Sequence, residues 1–496
     1  FTNYLLGPDG TEYVFSHGQA PFRTVMTKRV PGGSWVDSNV PTATPSGTLW
    51  ARAAIGGADG QTIHLIATTT PTGNGGVEYQ GMNGVVLYYR SKDGGATWDI
   101  TDQLLPGINS DNFTGTEVEG YAVDANGDNV SIFITNTWND CIVFISENNG
   151  DTWTPRIVND FPLTRYVVNT GYDPAILPVD PNAPVPEAIF TCDGSADVLV
   201  DASGITHCFY GSTYVNDIDT TDTGWTFYPG SNVGIVYWNS TMDDNDGVSA
   251  GYCPDINGND TLDVTDISNY GYGLNTHPSA AIDQDGNLYL TYATVHELYV
   301  DVNAGMNFRK PYIVASTDLG ATWNLPKPIL DDELLQADSS EAPYIEAIFT
   351  STAKVANDKV HCTFQADYAV FNFVNDATNE IPDGDATDNS IRYVGYPTAW
   401  ALVNTKNVAP EALKFEIMPN PASDQVLVQY TSDRAQTANV ELYDMFGNMV
   451  RKTTRASVGA GSGAAQINTA DLPNGMYFVR LNLGNSFATR KLTVQH

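Results

Sequence analysis

From Phe1 to about Thr405, apolar and polar residues alternate in short runs, and the runs come in pairs. A tight turn opens each pair: Asp9-Gly10, Asp59-Gly60, Asn126-Gly127, Ser203-Gly204, Asp285-Gly286 and Asn357-Asp358. Alternation with a period of two between such turns is the signature of a half-buried strand. The later turns lead into TIHLIATT, NVSIFITN, GITHCFYG, NLYLTYAT and KVHCTFQAD. A further run completes each of the six units: TVMTKR, VVLYYRS, CIVFISE, GIVYWNS, YIVASTD and IRYVGYP. No helical periodicity competes. Units recurring every roughly 55 to 95 residues, all β, predict an all-β fold: a six-bladed β-propeller with four strands per blade. The first unit is the weakest match, and five or seven blades are the alternatives.

A second repeat sits in the turn after the third strand. SKDGGATW, SENNGDTW and STDLGATW share the pattern Ser-x-Asp/Asn-x-Gly-x-x-Trp. In them Ser91, Ser146 and Ser316 start the turn, and Asp93, Asn148 and Asp318 can accept backbone N–H groups across it. Gly95, Gly150 and Gly320 permit positive φ. Trp98, Trp153 and Trp323 are expected to bury their rings between blades. This turn resembles the Asp-box (BNR) repeat of sialidase-like propellers. The resemblance implies a structural turn on the face opposite the active site, so these acids are read as structural and no catalytic residue is assigned.

The pattern changes after residue 405. Residues 406–414 read as a linker, and 415–496 as a small β-sandwich of short alternating strands. This part has 7 Lys and Arg against 6 Asp and Glu, so it is near neutral, while the whole chain carries −35. Four stretches stand out: PNPASD with Pro419, Asn420 and Pro421; ELYDMFGNMV with Tyr443, Asp444 and Gly447; LPNGMYFVRL with Gly475 and Tyr477; and TRKLTV with Lys491 and Leu492. Their order and spacing resemble the type A sorting domain of the type IX secretion system of Bacteroidetes. That resemblance implies export across the outer membrane through the periplasm, and recognition by a shuttle and a translocon. It also implies release or surface attachment after the domain is removed. An ordinary fibronectin-like module is the alternative.

Charge narrows the partners. With 23 Lys and Arg against 58 Asp and Glu, the surface repels phosphate backbones, and nucleic acid is not expected to bind. No apolar run reaches the roughly 20 residues of a membrane helix. The chain opens on Phe1, which leaves room for a leader removed earlier. The five cysteines form no CxxC pair, which argues against zinc and thioredoxin-like chemistry. Cys192 and Cys208 flank an expected hairpin and could bridge in an oxidising compartment; the other thiols are expected to be buried and free.

The acidic run PDINGNDTLDVTD suits calcium. Counted from Asp255, the loop positions that supply oxygen in EF-hand and dockerin loops fall on Asp255, Asn257, Asn259, Thr261 through its carbonyl, Asp263 and Asp266. Position six is Asp260, where the pattern wants Gly. The run lies in an insertion at about residues 241–273, expected to replace the box turn of the fourth blade and to be braced by a structural ion. With one loop and no paired helix, a dockerin is not expected.

The opposite face carries long loops with Tyr79, Trp225, Phe227, Tyr228, Tyr299, Phe308, Tyr368, Phe371 and Phe373. Aromatic rings beside amides and acids suit a glycan or a protein partner. A sialidase-like hydrolase would need three arginines around one pocket, and Arg23, Arg309 and Arg392 are the candidates. His64, His207 and His361 share one slot in three second strands, a repeat position rather than a metal site. GxSxG, P-loop and HExxH motifs are absent. The sequence therefore reads as a secreted or surface cargo of the type IX system whose propeller binds glycan or protein. An extracellular glycoside hydrolase and a structural surface component are the alternatives.

Overall fold

The computed structural model describes residues 3–18, 22–117, 120–180, 182–219, 221, 224–229, 234–259, 261–268, 273–301, 304–330, 346–367, 390–402, 415–432, 436–444, 449–458, 461–483 and 486–496. The described residues are almost wholly β; helix is confined to Thr398–Ala401 and two 3₁₀ turns. The chain divides into two compact units, Phe1–Val403 and Asn404–His496.

Among the described residues the first unit holds six antiparallel sheets in chain order. Sheet 2 is representative: Thr48–Gly56, Thr62–Thr69, Val86–Ser91 and Ile100–Gln103, each paired with the next. Sheets 1, 3 and 5 repeat that order, starting at Asn3–Leu6, Tyr121–Asn126 and Asn275–Ile282. Sheet 4 adds the two-residue strand Thr226–Phe227 to its second strand, Thr206–Asn216. Sheet 6 has three described strands, Glu346–Thr352, Lys359–Asp367 and Ser390–Pro397, where four were expected. The second and third strands of sheets 2 to 6 lie where alternation placed them, although those of sheet 5 run on through Tyr299 and Phe308, which were expected in a loop.

First strands of successive sheets pack side by side along the series. Four of them are broken by a register shift: Leu49/Arg52, Cys192/Ala196, Thr276/Ser279 and Ile348/Ser351. At these bulges Trp50, His277 and Phe349 take φ of 53°, 52° and 56°, and Gly194 takes 88° in sheet 4. Left-handed backbone costs a non-glycine residue on the order of 1–3 kcal/mol, so packing must hold these three in place. The cores between sheets are aliphatic and aromatic, with Tyr88, Tyr237, Tyr292 and Trp238 fully buried.

All five cysteines are free and buried. The Cys192–Cys208 bridge that an oxidising compartment would allow is not formed. The two residues lie on paired strands but out of register: Cys192 faces Ser212, and Cys208 faces Val198.

The second unit has two sheets over one core. Phe415–Met418, Gln425–Ser432 and Gly461–Asn468 form one; Met449–Val458, Gln436–Asp444, Gly475–Leu483 and Ser486–Val494 form the other. Val426, Val428 and Ile467 of the first sheet share that core with Val440, Leu442, Val479 and Leu492 of the second. The expected linker, 406–414, lies outside the described residues.

Candidate functional site

The three box turns have the same internal wiring. In each, the Ser hydroxyl donates to the acid or amide two residues on and accepts the N–H of the Gly, at 2.8–2.9 Å. Asp93, Asn148 and Asp318 each accept the N–H of a Thr four residues on, at 2.7–2.9 Å. The hydroxyl of that Thr closes a second bond to the same side chain. Thr97, Thr152 and Thr322 were missed in the motif, although the repeated TW dipeptide marks them.

Each box glycine presses on the preceding sheet. A Cβ on Gly150 would stand 2.1 Å from the Tyr88 hydroxyl, and one on Gly320 would stand 2.0 Å from the Tyr237 ring. Trp153 packs edge-on to Tyr88 at 5.0 Å, and Trp323 to Tyr237 at 5.3 Å. Trp153 is buried, whereas Trp98 and Trp323 are only half-buried.

The three histidines serve the same seam. His64, His207 and His361 each pair through Nδ1 with a tyrosine of the third strand, Tyr88, Tyr237 and Tyr393, at 2.7–2.8 Å. Burial pushes His64 down to about 3, so it stays neutral in the fold. In sheets 2 and 4 the next box covers this pair. In sheet 6 no described box does, and Tyr393 is 60% exposed.

Glu117 precedes the first strand of sheet 3, Asp193 sits in the bulge of sheet 4, and Glu346 opens the first strand of sheet 6. Glu117 is partly exposed, yet desolvation pushes its carboxyl to about 7, with Asp193 adding to the effect. Its oxygens accept the Thr137 N–H at 2.9 Å and the Thr137 hydroxyl at 3.1 Å. Asp193 is buried in the sheet 4 bulge, where its Oδ1 accepts Ser195 N–H and hydroxyl. Glu346 is fully buried, and desolvation pushes it to about 7 although the Arg309 N–H donates to it at 2.6 Å.

The candidate arginines do not converge on a substrate. Arg309 is fully buried, and its guanidinium donates to the carbonyls of Leu274, Ser268 and Gly273. Arg23 is exposed, and Arg392 lies half-buried on the last described strand of sheet 6. Several loop aromatics are likewise structural: Trp225 packs edge-on to Trp138 at 5.4 Å, and Phe308 is 2% exposed. Tyr368, Phe371 and Phe373 lie outside the described residues.

The acidic run is not where the sequence reading put it. The third-to-fourth turn of sheet 4 is only 240–247, and Val248–Gly251 follows as the fourth strand. The run therefore belongs to the connection into sheet 5, on the long-loop side. That strand escaped notice because Val-Ser-Ala-Gly has little strand propensity; Gly251 is kept small by the Tyr292 ring, 2.7 Å from where its Cβ would be.

Within the run, Asn257 and Asn259 turn their side-chain amides onto Asp263 Oδ2, at 2.8 and 2.9 Å. Asp255 Oδ1 accepts the Gly258 N–H, Asn259 Oδ1 the Thr261 N–H, and Asp266 Oδ1 the Ile267 N–H. Glu297, from the second strand of sheet 5, takes the N–H groups of Ile256, Asn257 and Asp263. Three calcium-loop positions thus converge, and exchanging oxygen for nitrogen in two amides would give them an oxygen lining. No cluster of three His, Cys, Asp or Glu suited to a metal occurs among the described residues, and Asp260 lies outside them.

In the second unit the marked residues hold the sheets together. Asn420 donates to the Lys491 carbonyl at 3.0 Å and accepts the Thr493 N–H at 2.8 Å. Pro419 and Pro421 both follow cis peptide bonds. The Tyr477 hydroxyl bonds the Pro473 carbonyl, and the Tyr443 hydroxyl bonds Glu441. Gly475 opens its strand opposite Val494, and Leu492 is fully buried. Asp444 pairs with Tyr477 along the backbone, Lys491 is exposed, and Gly447 is outside the described residues.

Residues 416–495 match the family described as secretion system C-terminal sorting domain, so the chain carries such a domain at its C-terminal end. No curated protein matches the chain. Among solved structures, a Dyadobacter fermentans protein of unknown function is 11% identical, covering 84% of this chain and 94% of that one at a TM-score of 0.34. A GH43 endo-arabinanase from Bacillus licheniformis is 11% identical, covering 80% and 95% at 0.29. PorZ, a surface component of the type IX secretion system of Porphyromonas gingivalis, is 10% identical, covering 100% of this chain and 59% of its own at 0.28. Likeness at these scores lends no weight to any activity. No helix among the described residues is long and apolar enough to cross a membrane.

Proposed function

We propose that this chain is a cargo of the type IX secretion system, displayed on or released from the outer cell surface. The observation that carries this is the sorting-domain match over residues 416–495. The C-terminal unit is read as a β-sandwich addressed by shuttle and translocon, and the N-terminal unit as what is delivered. Grafting residues 404–496 onto a periplasmic reporter tests the assignment. The reporter should become accessible to protease added outside the cells, and a reporter still shielded there refutes it.

The N-terminal unit is read as a six-bladed Asp-box propeller that binds a neutral glycan or a surface protein. Serial packing of six meander sheets supports the ring. The loop around Asp255, Asn257, Asn259, Thr261, Asp263 and Asp266 is read as a calcium site. The ion would brace the connection into sheet 5, close to the binding side rather than opposite it.

A glycoside hydrolase is the second reading, favoured by one observation. Burial raises the Glu117 carboxyl to about 7, as the general acid of such an enzyme requires, and the nearby Asp193 adds to the effect. Both groups already hold backbone or hydroxyl donors, so binding remains the preferred activity. Turnover of aryl arabinosides, xylosides or sialosides that is lost in Glu117→Gln would reverse that preference.

A further inference from the structure

A cleft between sheets 3 and 4 has no role in the seams, the acidic loop or the sorting domain. It encloses about 290 Å³ beside the end of the fourth strand of sheet 3, Thr154–Asn159. Leu177, Phe190 and Val236 line it with apolar surface, and Asn159, Asp160 and Asp180 add polar groups. The volume is at the lower end for small-molecule sites, which run from roughly 300 Å³ upward, about the size of one or two sugar rings.

Asn159 sets the chemistry. It is 4% exposed, and its side-chain nitrogen is buried with no hydrogen-bond partner. Its Oδ1 accepts the Tyr210 hydroxyl at 3.4 Å, which leaves the nitrogen as the remaining donor. A buried donor left unmade costs about 1–3 kcal/mol, so the site calls for an acceptor. Asp160 is exposed at the rim. Asp180 receives the Tyr214 hydroxyl at 2.8 Å, which holds its carboxylate at the wall.

We propose that this cleft is a saccharide subsite for a neutral sugar, with the Asn159 amide donating to a ring or hydroxyl oxygen and Asp160 accepting a sugar hydroxyl. The choice among ligands follows from charge and hydrogen-bond sense. An ammonium ligand offers the buried amide no acceptor. A carboxylated sugar would set its charge against two aspartates on a chain of net charge −35. A neutral sugar supplies both donors and acceptors, and its C–H face suits Phe190. The inference rests on the glycan-binding reading of the N-terminal unit.

Saturation-transfer NMR and calorimetry on the full chain test it, with gluco-, galacto-, manno-, xylo- and arabino-oligosaccharides against sialyllactose as the acidic probe. At least one neutral series should bind, sialyllactose at least tenfold more weakly. Asn159→Leu should weaken the neutral ligand at least tenfold, and Asp160→Asn, at an exposed position, several-fold. If a neutral sugar binds and neither variant weakens it, the cleft is not its site, while the glycan-binding reading survives. If no sugar of the panel binds, both fall. Equal binding of sialyllactose overturns the selection for neutral ligands. Should Asn159→Leu not fold, Asp160→Asn alone decides, because its side chain carries no core contact.

Discussion

The two units differ in charge and in how they hold together. Residues 415–496 carry a net +1, which leaves −36 for the rest of the chain. The C-terminal unit closes one apolar core between two sheets. In the N-terminal unit two box turns press a glycine and a tryptophan onto a tyrosine of the sheet before, Tyr88 and Tyr237, and the third presses Gly95 onto Met26. The contrast separates delivery from cargo.

The seam gives the sharpest way to break this comparison. Gly320→Val sets a side chain into the Tyr237 ring at a φ of 81°, so left-handed strain and overpacking add. We expect a loss of about 3 kcal/mol or more, confined to the N-terminal unit. Calorimetry should show that transition fall while the C-terminal one stays; a common shift would mean the units unfold together.

Calcium removal comes next. Chelation should lower the N-terminal transition by roughly 1–3 kcal/mol and leave the other unmoved, with calcium alone restoring it. Asp263→Ala should abolish the response, because both Asn257 and Asn259 converge on that carboxylate. An unresponsive wild type removes calcium from the account.

Acidity separates two buried groups of opposite sign. His64 is neutral in the fold and lowered to about 3, so its unfolded form gains a proton below about pH 6.5. Stability from this group is full above that pH and is lost progressively as pH falls toward 3. Glu346 is raised to about 7, so the fold bears the cost of its charge as pH rises from about 4.5 through 7. Glu346→Gln should therefore gain on the wild type at pH 8 and lose that advantage below pH 4.5. Urea titrations at three pH values decide it; an advantage independent of pH would refute the assignment.

The smallest effect is expected in sheet 6. Tyr393→Phe, at the exposed copy of the histidine–tyrosine pair, should cost less than about 0.5 kcal/mol. Tyr237→Phe removes the buried hydroxyl that bonds His207 and the Leu319 carbonyl, and should cost about 1–3 kcal/mol. Equal costs would mean that the covering turn adds nothing to the pair.

Much of this was legible because the signals are local. Alternation marked the second and third strands, the box turns carry their own hydrogen-bond chemistry, and the sorting domain has fixed stretches in fixed order. The first strands were not legible, because bulges at Trp50, His277 and Phe349 break the period of two. The Val248–Gly251 strand is made of small residues, so the acidic loop was placed one connection too early. Arg309 looked like a substrate ligand because a sequence does not say which backbone carbonyls will surround a side chain. The grip of Glu297 on the loop, and the unpaired amide of Asn159, join segments far apart in the chain and leave no local trace.

One measurement bears most directly on the division of labour between the units: surface exposure of the full chain and of a chain ending at residue 404, in a host with a working type IX system. Protease added to intact cells, together with assay of the medium, reads it out. The full chain should be found outside and the shortened chain folded in the periplasm. A shortened chain that reaches the surface as well as the full one would contradict the account.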